Sequence, residues 1–250
     1  MNDRICVIEQ PCLFPKTYMF ERAAIADEWI HLCSAQFVRG IQNSFDVFKS
    51  REKKASVPVS HDYRVSDNRT THESWVRSAL SDSRIQRDYR WVKKTRKGIT
   101  EEFSGSDGLS EALDYFDEMS NLWLEGSSIA TVGIRSFDVC CKHLGISTKS
   151  TVDTDIMKPV YGDPSRWIFE LNKAVDCSVH YTGKVAASTY LANANDVGHW
   201  KDGCIKVVAQ DWQAPVFHDR LLNKSVFEVI ALGPEAIELL KNSFKRSHVV

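Results

Sequence analysis

The first apolar run, Ile5 to Ile8 in ICVI, is broken at once by the polar Glu9-Gln10-Pro11. An uninterrupted apolar stretch bounded by a turn signal predicts a short buried strand. In TYMFERAAIA (17–26), Tyr18, Met19, Arg22 and Ile25 recur about one turn apart, which predicts a helix. EWIHLC then predicts a second strand ending near Ser34. Strand, helix and strand in this order predict a parallel βαβ start, with ligands expected outside the carboxyl ends of the strands.

Further along, QFVRGIQNSFDVFKS predicts a loop and then a strand-like piece over 45–49. ASVPVS (55–60) predicts an extended run, with Pro58 at a strand end or edge because it cannot donate to a ladder. Residues 60–73 are polar and predict a loop or crossover. Trp75, Ala79, Ile85, Tyr89 and Val92 form a helical stripe broken around Ser81–Ser83, with Gly98 as its stop. Two amphipathic helices follow, one carrying Leu109, Leu113, Phe116, Met119 and Leu122, the other closed by Gly145. A helix capped near Ser165 leads into a strand at His180-Tyr181-Thr182-Gly183, and two short helices part at Gly233-Pro234. The pattern predicts an α/β fold: a mostly parallel Rossmann-like sheet in the N-terminal part and a helix-rich middle and C-terminal lobe. It reads as a single domain over 1–250, with a helical lobe or insertion at about 72–150.

The charges alter this picture little. With 32 basic and 33 acidic residues, the chain has no broad basic field to favour nucleic acid or an anionic membrane. No segment approaches the roughly 18 apolar residues a membrane-spanning helix needs. The N-terminus lacks the basic and apolar regions of a secretory signal. Seven cysteines without a C-x-x-C pair, two of them adjacent at Cys140-Cys141, point to reduced thiols and a cytoplasmic location. The phosphate-cradling loops, the dinucleotide fingerprint, the zinc spacings and the nucleophile elbow are all missing, so no metal or dinucleotide motif is found and the cofactor is left unknown.

One stretch implies a site. Gln10, at the end of the first strand, offers an acceptor and two donors in one amide plane, suited to sugar hydroxyls or a base edge. Pro11 and Pro15 restrict the loop after it and lower the ordering cost of binding. Phe14, Tyr18 and Phe20 can form an apolar or stacking wall. Gln36 and Asn43, after the second strand, project at the same rim. Lys16 beside the mouth suits a nucleotide-sugar diphosphate. His31 and His180 fall on predicted strands and are candidate bases. Cys33, two residues from His31 and on the same strand face, is a candidate nucleophile.

The order of several short pieces resembles the WbqC-like family, which is associated with bacterial O-antigen and other surface-polysaccharide clusters. The pieces are Gln10-Pro11, Phe14-Pro15, Phe20, Ala26-Asp27, Gln36-Phe37, Gln42-Asn43 and Val57-Pro58-Val59. HLGIST (143–148), HYTGKVAASTYL (180–191) and SVFEVIALGPEA (225–236) continue the resemblance, and Tyr181 in the second of these joins the substrate-binding candidates. The departures are Lys16 for a Trp, Tyr18 for a Gly, Cys33-Ser34 for a pair of aspartates, Ser44 for an Arg and Glu228 for an Asp. The resemblance implies a cytoplasmic transferase-like enzyme that modifies, by N-acylation or aminoacylation among other chemistries, a nucleotide- or lipid-linked sugar. The alternative is a non-catalytic nucleotide- or sugar-binding accessory protein of the same pathway. The expected partner is a small-molecule sugar or nucleotide-sugar, with no nucleic acid and no membrane insertion; homo-oligomerisation is left open.

Overall fold

The computed structural model describes residues 3–35, 37, 44–45, 55–57, 59–60, 79–81, 83–85, 87–159, 163–195 and 198–244. Five parallel strands form its centre: β1 (Ile5–Glu9), β2 (Glu28–His31), β3 (Ser150–Val152), β4 (Val179–Thr182) and β5 (Lys206–Ala209). Their order is β3-β2-β1-β4-β5. The register pairs Glu9 with His31, Ile5 with Val179, and Thr182 with Ala209. From β1 the chain works outward through β2 and β3, then crosses to the other side for β4 and β5. The connectivity therefore reverses between β1 and β4, where an α/β sheet leaves a crevice beyond its strand ends.

Successive side chains of β1 point to opposite faces, and both faces are covered, so ICVI is apolar throughout. Ile5 and Val7, with Trp29 of β2 and Tyr181 of β4, belong to the larger core. Helices α1 (Thr17–Ile25), α2 (Tyr89–Glu102), α3 (Leu109–Glu125), α4 (Ile129–Leu144), α9 (Val226–Leu232) and α10 (Pro234–Asn242) contribute much of the rest, with loop residues such as Leu13 and Phe14. Cys6, Ile8 and Ile30 face the smaller core, with Trp167 and Leu171 of α6 (Pro164–Ala174) and Trp200 of α8 (Gly198–Asp202). The short helices α5 (Asp153–Ile156) and α7 (Lys184–Ser188) follow β3 and β4 directly. Among the described residues no helix is long and apolar enough to cross a membrane.

The α/β fold with a parallel Rossmann-like sheet is present as expected. The sheet draws three of its five strands from residues 150–209, and the helices over 89–144 sit between β2 and β3. The predicted helical stripe starting at Trp75 and stopping at Gly98 is not what forms. Ala79 lies outside any helix, and Arg84–Ile85 pair with Val59–Ser60. The helix starts only after Asp88, whose side chain accepts from the Trp91 N–H at 2.9 Å. It then runs through Gly98, and the next residue, Ile99, is fully buried. Burial of Ile99 outweighs the cost of about 1 kcal/mol of an interior glycine. The strand-like 45–49 is a two-residue pairing of Ser44–Phe45 with Ala55–Ser56; 46–49, 72–78, Gln36, Asn43 and Pro58 lie outside the described residues. The cap of α6 is Asp163 rather than Ser165, with Pro164 at the first helical position, where its missing N–H is not needed.

Two close approaches join the helical layer to the rest. A Cβ on Gly108 would sit 1.7 Å from the Ile230 carbonyl oxygen, so the start of α3 lies against the backbone of α9. A Cβ on Gly133 of α4 would sit 2.9 Å from the Cys12 nitrogen and 2.9 Å from Pro11 Cβ. The proline loop after β1 thus rests directly on a helix backbone.

Candidate functional site

The polar residues that end the central strands meet around open space. A cavity of about 630 Å³ lies beyond the carboxyl ends of β1, β4 and β5, within the roughly 300–1,000 Å³ usual for small-molecule sites. Glu9 and Gln10 reach it from β1, Thr182 and Gly183 from β4, Gln210 and Trp212 from just after β5, and Tyr18 and Arg22 from α1. Lys184, Val185 and Tyr190 close one side from α7 and the turn after it. This is the switch point of the sheet.

The loop that delivers Gln10 is held from several sides. Pro15 carbonyl accepts from Val226 N–H at 3.0 Å, Thr17 N–H donates to Lys224 carbonyl at 2.9 Å, and Thr17 Oγ1 donates to Leu222 carbonyl at 2.8 Å. Gly133 supports the same loop from below. Gln10 itself is exposed at the cavity.

Arg22 is 1 % exposed, and its Nη1 donates to Glu9 Oε1. Its guanidinium carbon lies 5.2 Å from the centre of the Tyr18 ring, within cation–π range. The Arg22 Nε is buried and has no hydrogen-bond partner among the described residues. A buried carboxylate, Glu21, braces the wall: it accepts from Tyr181 OH at 3.1 and 3.2 Å and from Gln210 Nε2 at 2.6 Å. The same Gln210 Nε2 donates to the Tyr18 carbonyl at 2.8 Å, which fixes the amide against α1. At the mouth, Lys184 Nζ pairs with Asp211 at 2.7 Å, both side chains being largely in solvent.

The phenols of Tyr18 and Tyr190 are pushed up to about 12, first by burial and then by the Glu9 carboxylate. At neutral pH both are therefore protonated, hydrogen-bonding aromatic walls rather than bases.

The described residues singled out from sequence part company in the structure. Gln10 and Tyr18 line the cavity. Lys16 is exposed at the N-cap of α1, and its backbone bridges to Ser225; it is not part of the cavity wall. Tyr181 is buried and acts on the site through Glu21. Phe14 is 3 % exposed in an aromatic cluster, with Phe45 at 4.6 Å, Tyr115 at 5.1 Å and Phe227 at 5.2 Å between ring centres. Phe20 stacks on Phe137 in the same core.

His31 is buried beside Phe137 and accepts through Nδ1 from Trp29 Nε1 at 3.3 Å; burial lowers its pKa to about 4. His180 is fully buried on the smaller-core face, with Nδ1 3.2 Å from Asn172 Nδ2. Burial, and then the Arg22 charge, lower it to about 3. Cys33 is 3 % exposed, and its thiol is pushed up to about 12 by burial and then by Asp153 and Asp155. The backbone N–H groups of Cys33 and Ser34 donate to Asp153 at 2.9 and 3.2 Å, so this turn is anchored on a buried carboxylate. None of the three lines the cavity.

Glu9, Arg22, Lys184, Tyr190, Gln210 and Trp212 are the cavity residues that sequence reasoning passed over. Glu9 carried a local signal, as the first polar residue after an apolar strand. So did Arg22, which lies four positions after Tyr18 on a predicted helix and therefore shares its face.

A family model described as the WbqC-like protein family matches residues 10–223, and the chain belongs to that family. No curated protein and no solved structure matches it.

Proposed function

We propose that this member of the WbqC-like family binds a nucleotide- or lipid-linked sugar at the switch-point cavity and transfers a group to it in bacterial surface-polysaccharide biosynthesis. One observation carries the reading: a cavity of about 630 Å³ at the reversal of a parallel sheet, lined by amides, a carboxylate–guanidinium pair and three aromatic rings. Amides satisfy sugar hydroxyls in both directions. The Tyr18, Tyr190 and Trp212 rings offer apolar faces to the C–H side of a sugar or to a base. For transfer of an acyl or aminoacyl group, the Gln10 amide at the cavity is the candidate donor to a developing oxyanion, since both Gln210 N–H groups are given to Glu21 and the Tyr18 carbonyl. Lys184, whose pairing with Asp211 is exposed and therefore cheap to exchange, is placed to meet a diphosphate at the mouth.

Thermal-shift and calorimetric screening of nucleotide-sugars and acyl donors tests this. A ligand at 100 times its Kd stabilises the fold by about 2.7 kcal/mol, a shift on the order of 5–10 °C for a chain of this size. Silence across the whole panel sinks the reading.

A second reading, a binding protein without catalysis, is favoured by one specific observation. The groups first expected to do chemistry, His31, His180 and Cys33, are buried away from the cavity wall. The same screen, followed by product analysis with each binding pair of sugar and acyl donor, separates the two. Binding without any new sugar species supports the accessory role.

A further inference from the structure

The charged floor of the cavity is layered. Arg22 lies underneath, with 1 % of its side chain exposed, and Glu9 lies over it with 24 % exposed. A ligand entering the cavity therefore meets the carboxylate first. The guanidinium acts from behind: it donates to Glu9 Oε1 and is held by the Tyr18 ring.

As a stability device this arrangement is poor. A buried ion pair seldom repays its desolvation, and here the arginine also keeps a buried N–H without a partner among the described residues. The pair suits recognition better. The remaining walls beside Glu9 are the Tyr18 and Tyr190 phenols and the Thr182 hydroxyl, all neutral, and the apolar Ile8, Met19 and Leu32. Among the described lining residues both cations are already paired, Arg22 with Glu9 and Lys184 with Asp211. Only the second of these pairs stands in solvent, where a phosphate can take it over at little cost. The polarity of the cavity thus runs from a replaceable cation at the mouth to a fixed anion at the floor.

We propose that the Glu9–Arg22 pair is an amine-recognition subsite: Glu9 accepts hydrogen bonds from a protonated amino group on the ligand sugar, and Arg22 holds the carboxylate in orientation. This deepens the sugar-binding reading above and rests on it. The ligand class it selects is an amino sugar carried on a phosphate-bearing group, the amine pointing inward and the diphosphate outward. A carboxylate distinguishes ammonium from hydroxyl by charge as well as by donor count.

The test measures binding of UDP-glucosamine against UDP-glucose, and of hexosamines bearing the amine at other ring positions against the matching hexoses. Calorimetry serves for the nucleotide forms and ligand-observed NMR for the free sugars. At least one amine ligand is expected to bind tenfold or more tightly than its hydroxyl counterpart. Glu9→Gln brings that ratio below about twofold, and Glu9→Asp, which keeps the charge, restores part of the preference. N-acetylation of the ligand removes it. Equal affinity for every amine–hydroxyl pair, or a preference that survives Glu9→Gln in a variant with unchanged circular dichroism, overturns the amine assignment and leaves the sugar-binding reading standing. Absence of binding by every sugar and nucleotide-sugar overturns both.

Discussion

At the amino ends of the strands, Arg4 Nη2 and Lys149 Nζ converge on Glu28 Oε1 at 2.5 and 2.8 Å. Arg4 Nη1 donates to the Val175 carbonyl at 2.7 Å, and Asp27 accepts the Ile5 N–H at 2.8 Å. These contacts tie together the segments entering β1, β2, β3 and β4. At the carboxyl ends the same residue types recur as Glu9, Arg22 and Lys184, the last paired with Asp211, but they line a hollow. A charged residue at a strand end is thus not informative by itself. What separates a brace from a site is whether the neighbouring chain closes over it, and at the reversal between β1 and β4 it does not.

The largest expected effect concerns His31, which ends β2 at the open end of the sheet and yet is sealed. Its pKa in the fold is lowered from 6.5 to about 4, and that of His180 to about 3. Below about pH 6.5 the unfolded chain takes up protons that the fold refuses. Stability is therefore full above that value and is lost as pH falls toward 4 and then 3. Between about pH 7 and about pH 5 the loss is about 2 kcal/mol for each histidine, read as a falling urea midpoint. A midpoint that stays level over this range places the two rings in contact with water.

Next is the brace. Glu28→Ala is expected to cost about 2–3 kcal/mol of stability, since Glu28 is buried and accepts from two cations. Sugar affinity should be unchanged; a loss of affinity at constant stability would erase the distinction between the two ends. Gly133→Ala comes third. The added methyl must push Pro11 or Cys12 aside, with about 1–3 kcal/mol of strain. Unlike Glu28→Ala it should also weaken binding, because the displaced loop carries Gln10. Gln10→Ala is expected to lower affinity at least tenfold, about 1.4 kcal/mol, with melting temperature nearly unmoved; unfolding instead would make Gln10 another brace. The smallest effect is that of Lys16→Ala, less than about twofold in affinity for diphosphate ligands, for a single exposed charge outside the cavity wall.

How much of this the sequence disclosed varies from element to element. ICVI announces a strand buried on both faces because nothing in it alternates. The helices closed by Gly126 and Gly145 announce themselves because both glycines take the left-handed conformation their C-caps require. By contrast, STV at β3 is three residues long and half-polar, and only its pairing with β2 makes it a strand. The site divides the same way. Gln10 stood out beside two prolines. Gln210, Tyr190 and Lys184 reach the cavity from more than 150 positions away in the chain, so no local pattern links them to it. Phe14, Tyr18 and Phe20 looked alike in sequence. Yet residues two apart on a helix diverge, so Phe20 turns into the core while Tyr18 faces out. Burial of the histidines is a property of the assembled layers, and no spacing encodes it.

The bare backbone of α4 at Gly133 has a mechanical consequence. Side chains yield to stress by changing rotamer; main chain pressed on main chain has no such give. The packing between α4 and the loop that follows Gln10 therefore leaves no room there for a side chain to take up a change in spacing.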